Sequence, residues 1–380
     1  MVSSKEKKYI GEFEAKKDQR KFGVRFATPK DAKSISDIFV DAYKYDYLYP
    51  KVYSEDELGK YIENNQKTTN TFVRKEMWGI AESLDEKHET AAICFVERKN
   101  DFSIYAGKTV VHNRFRGMGM GRGLGVSSLL SVLNMPENKD VVRLDSDVRS
   151  SQQNSQKMVE ATGSIPYGFI PNYNNYADKR FHDPITGKPF TDGRKESVVL
   201  YVAPIHNFWK IRSKSITLLD NEEIKSFHEA IKNTNRKMKK DEITYHEFPP
   251  VHVQNKFDVH EDKFKGTILI HGYMDQSAIN ATLEKYANWN VIEWRVPTTE
   301  SGIASQKLAL ENRFVISGYD PGSYKLEDGQ LVDTLVMCTF PNGVELTQFE
   351  CVELTQKNKF IASKVINQLT KYYPACKDYQ

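Results

Sequence analysis

The stretch RFRGMGMGRGLG, residues 114–125, places five of the chain's 21 glycines within nine positions and interleaves them with arginines. The apolar run KTVVHN (108–113) precedes it, and the run VSSLLSVL (126–133) follows it. The first run has the composition of a β-strand, and the second that of a helix. The glycines therefore form a predicted strand-to-helix turn.

Alternate glycines let successive backbone N–H groups point to one side and form a concave anion site, because no Cβ atoms obstruct it. A helix that begins beside this site adds the positive end of its dipole. Arg116 and Arg122 add two further positive charges. The turn therefore predicts a phosphate or pyrophosphate site, and a flexible loop without a ligand is the alternative.

The spacing of the glycines separates this turn from two common phosphate loops. A P-loop needs Lys-Ser or Lys-Thr after its last glycine, and the dinucleotide fingerprint needs Gly-x-Gly-x-x-Gly. Residues 114–125 contain neither pattern. The pattern that fits is Arg-x-x-Gly-x-Gly, at Arg116, Gly119 and Gly121. Between a strand and a helix, it resembles the pyrophosphate-binding signature of the GNAT superfamily of acyl-CoA N-acyltransferases.

Strands and helices alternate along the first half of the chain. The patterns predict strands at 24–28, 140–148 and 196–204, and helices at 29–43, 54–64 and 150–163. Three further strands are predicted before the glycine turn, and a long polar loop rich in Asn, Asp, Pro and Gly after residue 163. This order predicts a mixed α/β (α+β) fold. It is also the order of elements in the GNAT superfamily, so the resemblance extends over residues 20–205.

The second half of the chain contains a weak internal repeat. Residues 141–173 and 291–323 align without a gap at an offset of 150. Seven positions are identical in the two segments, namely Val141, Ser151, Ser155, Gln156, Lys157, Gly168 and Pro171 with their counterparts. A similar strand pattern follows each segment. A duplication is the interpretation that we favour over chance similarity.

The second copy lacks the glycine turn. With His112 aligned on His271, 29 residues separate His112 from Val141, and 20 separate His271 from Val291. The missing length of nine residues equals that of RGMGMGRGL (116–124). The helix and the next strand are kept, so the second copy is expected to have no pyrophosphate site.

The resemblance and the repeat together predict two tandem GNAT-like domains, each a mixed twisted sheet flanked by helices. Residues 1–205 are expected to form the catalytic domain that binds acyl-CoA. Residues 206–380 are expected to form the degenerate copy, which resembles the family over 215–350. The basic and polar stretch at 204–215 is the predicted linker.

The resemblance also implies which residues hold the acyl-CoA, expected to be acetyl-CoA or another acyl-CoA, without a metal. In that family the strand before the turn separates from its neighbour at a bulge and pairs with the pantetheine arm, a role that falls on Thr109, Val110 and Val111. The pyrophosphate falls on the turn, at Arg116, Gly117, Met118, Gly119, Met120, Gly121 and Arg122. An amide of the later helix, Gln152 or Asn154, is the last cofactor contact, with a capping or solvated role as the alternative.

Direct acyl transfer needs a base for the acceptor amine and gains from an acid for the leaving thiolate. Asp145 and Asp147, at the end of a predicted central strand, are the candidate bases, and helix capping or solvent exposure is the alternative. The family's usual tyrosine acid falls on Val159. Tyr167 and Tyr173, in the following segment, are the candidate substitutes.

Composition limits the classes of partner. A formal net charge of +3 over 380 residues disfavours a general nucleic-acid or anionic-membrane binder. Four scattered cysteines and the lack of a secretory or membrane-spanning apolar run predict a cytoplasmic protein. An N-acetyltransferase acting on a small-molecule or peptide amine is the expected function. A silent CoA-binding module and a nucleic-acid-binding or nucleic-acid-modifying protein are the alternatives, and the acceptor and oligomeric state stay open.

Overall fold

The computed structural model describes residues 9–67, 76–183, 185, 193–249 and 255–379. These residues form two compact units. Residues up to 146, with 177–182, belong to the N-terminal unit, and the remainder belongs to the C-terminal unit. The predicted mixed α/β class is confirmed, since both units combine helices with parallel and antiparallel strand pairs.

The N-terminal unit is built on a mixed sheet. Its elements are β1 (Gly11–Glu14), β2 (Lys21–Phe26), α1 (Ala32–Tyr43), α2 (Glu55–Lys67), β3 (Glu76–Ser83), β4 (Thr90–Arg98), β5 (Ser103–Val111), α3 (Met120–Leu133) and the first half of β6 (Arg143–Arg149). The strands follow the order β1-β2-β3-β4-β5-β6, antiparallel except for the parallel pair β5–β6. The chain enters the C-terminal unit within β6, after Ser146.

Helices cover both faces of this sheet. The spacing of Ile35, Ile38 and Phe39 gives α1 an apolar side, and α1 packs on β4 and β5. Phe39 contacts the Trp78 ring on that face, at 6.0 Å between ring centroids. Gly79 faces the opposite way, where a Cβ atom would collide with Ser128 of α3. The alternation of β3 therefore places Trp78 on the α1 face and Gly79 on the α3 face.

The C-terminal unit holds the remaining elements. They are α4 (Gln153–Ala161), β7 (Ile165–Tyr176), β8 (Arg194–Pro204), α5 (Phe208–Ile211), β9 (Ser215–Leu219), α6 (Glu222–Thr234), β10 (Glu242–His246), β11 (Lys256–Asp262), β12 (Thr267–Tyr273), α7 (Gln276–Lys285), β13 (Val291–Pro297), α8 (Gly302–Glu311), β14 (Val315–Lys325), β15 (Leu331–Thr339) and α9 (Gln356–Tyr372). Seven strands follow the order β8-β7-β14-β15-β13-β12-β11, and β9 pairs with β10. The core of this unit is formed mainly by β7, β8 and β12–β15 with α6 and α9.

Strand irregularities recur in the C-terminal unit at the spacing of the sequence repeat. The pairs β7–β8 and β14–β15 each contain two register shifts, at Pro166/Gly168 and Ile170/Asn174 in β7 and at Ile316/Gly318 and Asp320/Tyr324 in β14. The two strands pair with each other at Gly168 and Gly318. A Cβ atom on Gly168 would lie 2.9 Å from the Ser317 carbonyl oxygen, and one on Gly318 2.7 Å from the Tyr167 carbonyl oxygen. The close approach of the two backbones therefore requires both glycines.

The shared Ser-Gln-Lys motif also has one structural role in both segments. The buried Gln156 amide donates to the Glu353 carbonyl (3.0 Å) and accepts from the Thr355 N–H (3.1 Å). The buried Gln306 amide donates to the Thr217 carbonyl (3.4 Å) and accepts from the Leu219 N–H (2.8 Å). Each glutamine thus holds the backbone of a neighbouring segment at alternate residues.

Two sequence expectations were wrong. The predicted polar loop after residue 163 contains the twelve-residue strand β7, because its Asn and Tyr side chains are accommodated inside the unit. The predicted linker at 204–215 contains α5, whose Phe208 is fully buried. Arg212 follows, and its guanidinium is ion-paired with Asp241 (2.8 Å) and Asp333 (2.5 Å). This stretch is a packed part of the C-terminal unit rather than a flexible connection.

Candidate functional site

Two glycines give the glycine turn its backbone conformation. Gly117 (φ 78°) and Gly119 (φ 87°) lie in the left-handed region, which residues with a Cβ atom adopt only at a cost. A Cβ on Gly117 would meet no atom within 4 Å, and one on Gly119 would come no closer than 3.9 Å, to Lys16. Backbone conformation, not lack of space, therefore requires glycine at these two positions.

Hydrophobic residues of the turn anchor it to the core of the N-terminal unit. Phe115, Met118 and Met120 are buried there, whereas Arg116 and Arg122 are exposed. Of the predicted cofactor contacts, Met118 and Met120 are thus available to a ligand only through their backbones. The turn presents its glycines and arginines on the surface of the unit.

The helix after the turn has an open N-terminus. α3 begins at Met120, directly after Gly119, and no side chain caps it. The first amides of a helix have no partners inside the helix, and the helix dipole makes them attractive to anions. Gly121 lies within this first turn of α3. The amides of the turn and of α3, with Arg116 and Arg122, form a positively polarised surface suited to a pyrophosphate.

β5, the strand before the turn, is bulged and leaves one of its neighbours. Ile93 pairs with Val110 and Phe95 with Gly107, so β5 has one extra residue opposite Cys94. Lys108 takes a left-handed conformation at this bulge (φ 50°). The described pairs with β6 end at Tyr105, although β5 pairs with β4 as far as Val111. Thr109, Val110 and Val111 thus lie beyond the point where pairing with β6 stops.

Asp145 lies in the same unit as the glycine turn and is engaged in an ion pair. Its Oδ1 accepts from Nε of Arg143 at 3.0 Å and also from the Nη2 of that guanidinium. Arg143 is almost fully buried. Because the guanidinium stabilises the charged carboxylate, Asp145 is poorly suited to accept a proton unless this pair separates.

The other three candidate catalytic residues lie in the C-terminal unit. Asp147 accepts a hydrogen bond from Lys265 at 3.1 Å, and the same ammonium lies 4.5 Å from the centroid of the Tyr173 ring. Burial raises the pKa of Tyr173 well above its usual value, and nearby carboxylates including Asp147 add to the rise. The Tyr167 hydroxyl accepts from Arg295 at 3.2 Å. Asp147 and Tyr173 therefore both contact Lys265. Tyr167 instead contacts Arg295.

The two candidate amides of the later helix are exposed. Gln152 occupies the position before the first residue of α4 without capping it, and Asn154 lies in the first turn. The buried amide of this helix is Gln156, which bonds to backbone atoms inside the C-terminal unit. Gln152 and Asn154 are therefore accessible to a ligand.

A row of polar residues that was missing from the sequence predictions crosses the N-terminal sheet. Strand pairing places Glu76 opposite Glu97, Glu97 opposite Tyr105, and Tyr105 opposite Asp145. Residues that pair in register share a face of the sheet, and Glu76 lies two residues before Trp78, so this is the α1 face. The signal in the sequence is a pair of acids at strand ends, but their alignment requires knowledge of the register.

The described part of the chain contains no group of three His, Cys, Asp or Glu side chains placed to hold a metal ion. None of its helices has the length and apolar character needed to cross a bilayer. The four cysteines are free thiols, of which Cys351 is exposed.

Comparison with known proteins gave matches among solved structures alone. No family model and no curated protein matches the chain. A GNAT-family acetyltransferase from Streptococcus pneumoniae is 14% identical, with a TM-score of 0.36, over 48% of this chain and 99% of that one. The ribosomal-protein-S5-alanine acetyltransferase from Vibrio fischeri is 12% identical, with a TM-score of 0.37, over 51% and 96%. An N-acetyltransferase from Staphylococcus aureus Mu50 is 15% identical, with a TM-score of 0.35, over 49% and 99%.

Proposed function

We propose that the chain is an acyl-CoA-dependent N-acyltransferase that transfers an acetyl group from acetyl-CoA directly to a primary amine. One observation carries the proposal: a bulged strand that leaves its neighbour runs through a left-handed glycine turn into an uncapped helix. The amides of the turn and of α3 suit the pyrophosphate. The backbone of β5 from Thr109 to Val111 is the corresponding place for the pantetheine arm.

The reaction forms one bond and breaks another. The neutral amine nitrogen attacks the thioester carbonyl, a C–N bond forms, and the C–S bond breaks as the electron pair leaves with the CoA thiolate. The proton of the amine passes to a base, and in this proposal a backbone N–H at the end of β5 stabilises the tetrahedral oxyanion. Asp145 and Asp147 remain candidate bases, and Tyr167 and Tyr173 candidate acids, although each is engaged as described above.

We also propose that the chain contains two copies of one domain, and that the second binds no CoA. The register shifts of β7 and β14, at equivalent positions 150 residues apart, support the duplication, as do Gln156 and Gln306. Between its strand and its helix, the second copy has no glycine-rich stretch like residues 116–124.

Calorimetric titration with CoA and acetyl-CoA tests this proposal. We expect one site per chain and a loss of affinity of more than tenfold, about 1.4 kcal/mol, in Gly119→Val, because valine disfavours the left-handed conformation and obstructs the turn. Gly125→Ala is the matched control: Gly125 lies within α3, and a Cβ there meets nothing within 4 Å. Two equivalent sites, or unchanged affinity in folded Gly119→Val, would contradict the proposal.

A CoA-binding module without catalysis is the second candidate. The ion pair of Asp145 with Arg143 and the valine at position 159, where the family usually has tyrosine, favour it. Mass spectrometry of products from an amine library incubated with acetyl-CoA separates the two candidates. Acetylated products favour the transferase, whereas CoA binding without any product favours the silent module.

A further inference from the structure

The corner of the N-terminal unit where α2 packs on β3 contains buried polar atoms that lack partners. Tyr61 Oη, Asn65 Nδ2, Glu76 Oε2 and Trp78 Nε1 are buried and have no hydrogen-bond partner in the described parts of the chain. Each such group costs about 1–3 kcal/mol when it is left unsatisfied. Native proteins leave few of them, so a group of four indicates a site that a ligand completes.

The four side chains come from two elements, α2 and β3, that pack against each other. Tyr61 and Asn65 lie four residues apart on α2 and therefore share one side of the helix. Glu76 and Trp78 lie two residues apart on β3 and share one face of the strand. Because α2 packs against β3, the corner is lined from the helix by two groups and from the sheet by the other two.

Two lysines connect this corner with aromatic rings and with the bulge on β5. The Lys51 ammonium lies 3.5 Å from the centroid of the Tyr61 ring. The Lys108 ammonium, at the bulge, lies 3.6 Å from the centroid of the Phe95 ring and 5.8 Å from that of Trp78. The corner is therefore continuous, through Lys108, with the segment of β5 assigned to the pantetheine arm.

Glu76 is the single carboxylate among these unpartnered groups. Burial raises the pKa of Glu76 above its usual value, and Glu97 adds to the rise, while Lys51 and Lys108 oppose it. A carboxylate that holds a proton more readily than an exposed one is a better base for an ammonium group. Glu76 is the candidate base because its buried Oε2 atom has no hydrogen-bond partner, and not because of its pKa alone.

We propose that this corner is the acceptor site, that Glu76 binds the acceptor amine and takes its proton, and that Tyr61, Asn65 and Trp78 donate hydrogen bonds to oxygen atoms of the same molecule. The acceptor class is a primary amine with a carboxylate or amide oxygen close to the nitrogen, the chemistry of an amino acid or a peptide amino terminus. The unpartnered carboxylate oxygen of Glu76 can accept a hydrogen bond from an ammonium group. The three unpartnered donors can bind oxygen atoms of the same molecule. This inference rests on the proposed acyltransferase function.

Both protons that the ammonium group loses on its way to an amide are accounted for. The ammonium transfers one proton to Glu76 Oε2, and the freed lone pair of the nitrogen forms the C–N bond to the acyl carbon. The second proton is lost when the tetrahedral intermediate collapses and the C–S bond breaks, and it passes to the CoA thiolate or to solvent. Glu76 releases its own proton to solvent before the next turnover.

The experiment measures CoA thiol release from acetyl-CoA with the 20 amino acids, their amides and the amines without a carboxyl group. We expect the amino acids or the amides to exceed the matching plain amines by about 100-fold in kcat/KM. If free amino acids are preferred over amides, the oxygen ligand is a carboxylate. If amides are preferred, it is the carbonyl of a peptide amino terminus. Plain amines that react as well as the others would overturn the inference.

Substitutions in the corner test whether turnover and acceptor binding depend on these residues. Glu76→Gln is expected to lose about 10²–10⁴-fold in kcat, to keep CoA affinity, and to lose the acidic limb of the pH profile of kcat/KM. Tyr61→Phe and Trp78→Phe are expected mainly to raise KM. Glu63→Gln, on the exposed side of α2, is the charge-matched control. Full turnover with an unchanged pH profile in Glu76→Gln overturns this inference alone, whereas a wild-type protein that turns over no amine overturns the acyltransferase proposal as well.

Discussion

The segment from β5 to α3 and the segment from β12 to α7 connect a strand to a helix in opposite ways. β5 pairs with β6 only from Ser103 to Tyr105, and from there to Val111 it is paired with β4 alone. β12 pairs with β13 at five consecutive positions, from Thr267 to His271, without a shift. The first segment leaves strand backbone unpaired on one side, and the second uses the backbone of its strand for the sheet.

The helix ends differ in the same sense. α3 begins after left-handed Gly119 without a side-chain cap. α7 is capped by Asp275, whose carboxylate accepts from the Ala278 N–H at 2.8 Å. An Asp cap supplies the negative charge that a helix N-terminus attracts. The N-terminus of α7 is therefore occupied by the carboxylate of Asp275, whereas the N-terminus of α3 has no side-chain anion.

The strand register also gives an alignment of the two proposed copies that differs from the sequence alignment. Tyr105 pairs with Asp145 and His271 with Arg295, and Asp145 and Arg295 lie 150 residues apart. Under the proposed duplication, the register makes Tyr105 the counterpart of His271, whereas the sequence alignment placed His112 there. In the register-based alignment, the first proposed copy is longer both because β5 continues past Tyr105 and because it contains the glycine turn.

The strongest test of this comparison gives α3 the negative charge that α7 has. Gly119→Asp is expected to weaken CoA binding about 100-fold, roughly 2.7 kcal/mol, because the carboxylate repels the pyrophosphate. Gly119→Asn is the matched control, since Asn has nearly the same shape and tolerates the left-handed conformation. We expect it to lose about tenfold. Titration calorimetry at low and high salt measures the CoA affinity of each variant. The difference in affinity between the Asp and Asn variants should become smaller as salt screens the charge.

Equal CoA affinity of the Asp and Asn variants would contradict the assignment of the pyrophosphate to this turn. Binding would then depend on the shape of residue 119 and not on its charge. Thermal unfolding of both variants checks that each is folded before affinities are compared.

A second test concerns Gln156 and Gln306, which occupy equivalent positions in the two proposed copies. Gln156→Leu and Gln306→Leu each leave a buried backbone N–H and a carbonyl without the side-chain partner described above. We expect each to lower the free energy of unfolding by about 2 kcal/mol, measured by urea unfolding. Gln276→Leu, at an exposed position, should change it by less than about 0.5 kcal/mol. Similar losses in the two variants would support equivalent roles, and a loss in one alone would argue against them.

The sequence predicted the features that depend on neighbouring residues. Local patterns of residue type located α1, α2 and α4, and the glycines at 117–125 located the strand-to-helix turn. β7 was missed because the polar stretch PNYNNY (171–176) hides it: most of the strand is buried. One of its buried polar side chains, Asn172, is satisfied by a partner far away in sequence, since its amide donates to the Gly343 carbonyl at 2.7 Å.

The candidate acceptor corner could not be predicted in this way. Glu76 and Asp145 lie 69 residues apart, and they belong to one row only through the pairing of four strands. Whether a carboxylate oxygen is buried and without a partner depends on the packing of α2 on β3. The sequence therefore favoured Asp145 and Asp147 for their place at a strand end, although both are ion-paired in the structure.

The smallest expected effect comes from removing the Asp275 side chain that caps α7. Asp275→Ala takes away the acceptor of the Ala278 N–H and should lower the free energy of unfolding by about 1 kcal/mol, whereas Asp275→Asn keeps an acceptor oxygen and should cost less. CoA affinity and stoichiometry, measured by calorimetry, should not change in either variant. An uncapped α7 still follows a strand that is paired along five positions with β13, so no backbone is available there for a pantetheine arm. A second CoA site in Asp275→Ala would show that the cap alone distinguishes the copies, and that separation of the strand from its neighbour is not required for binding.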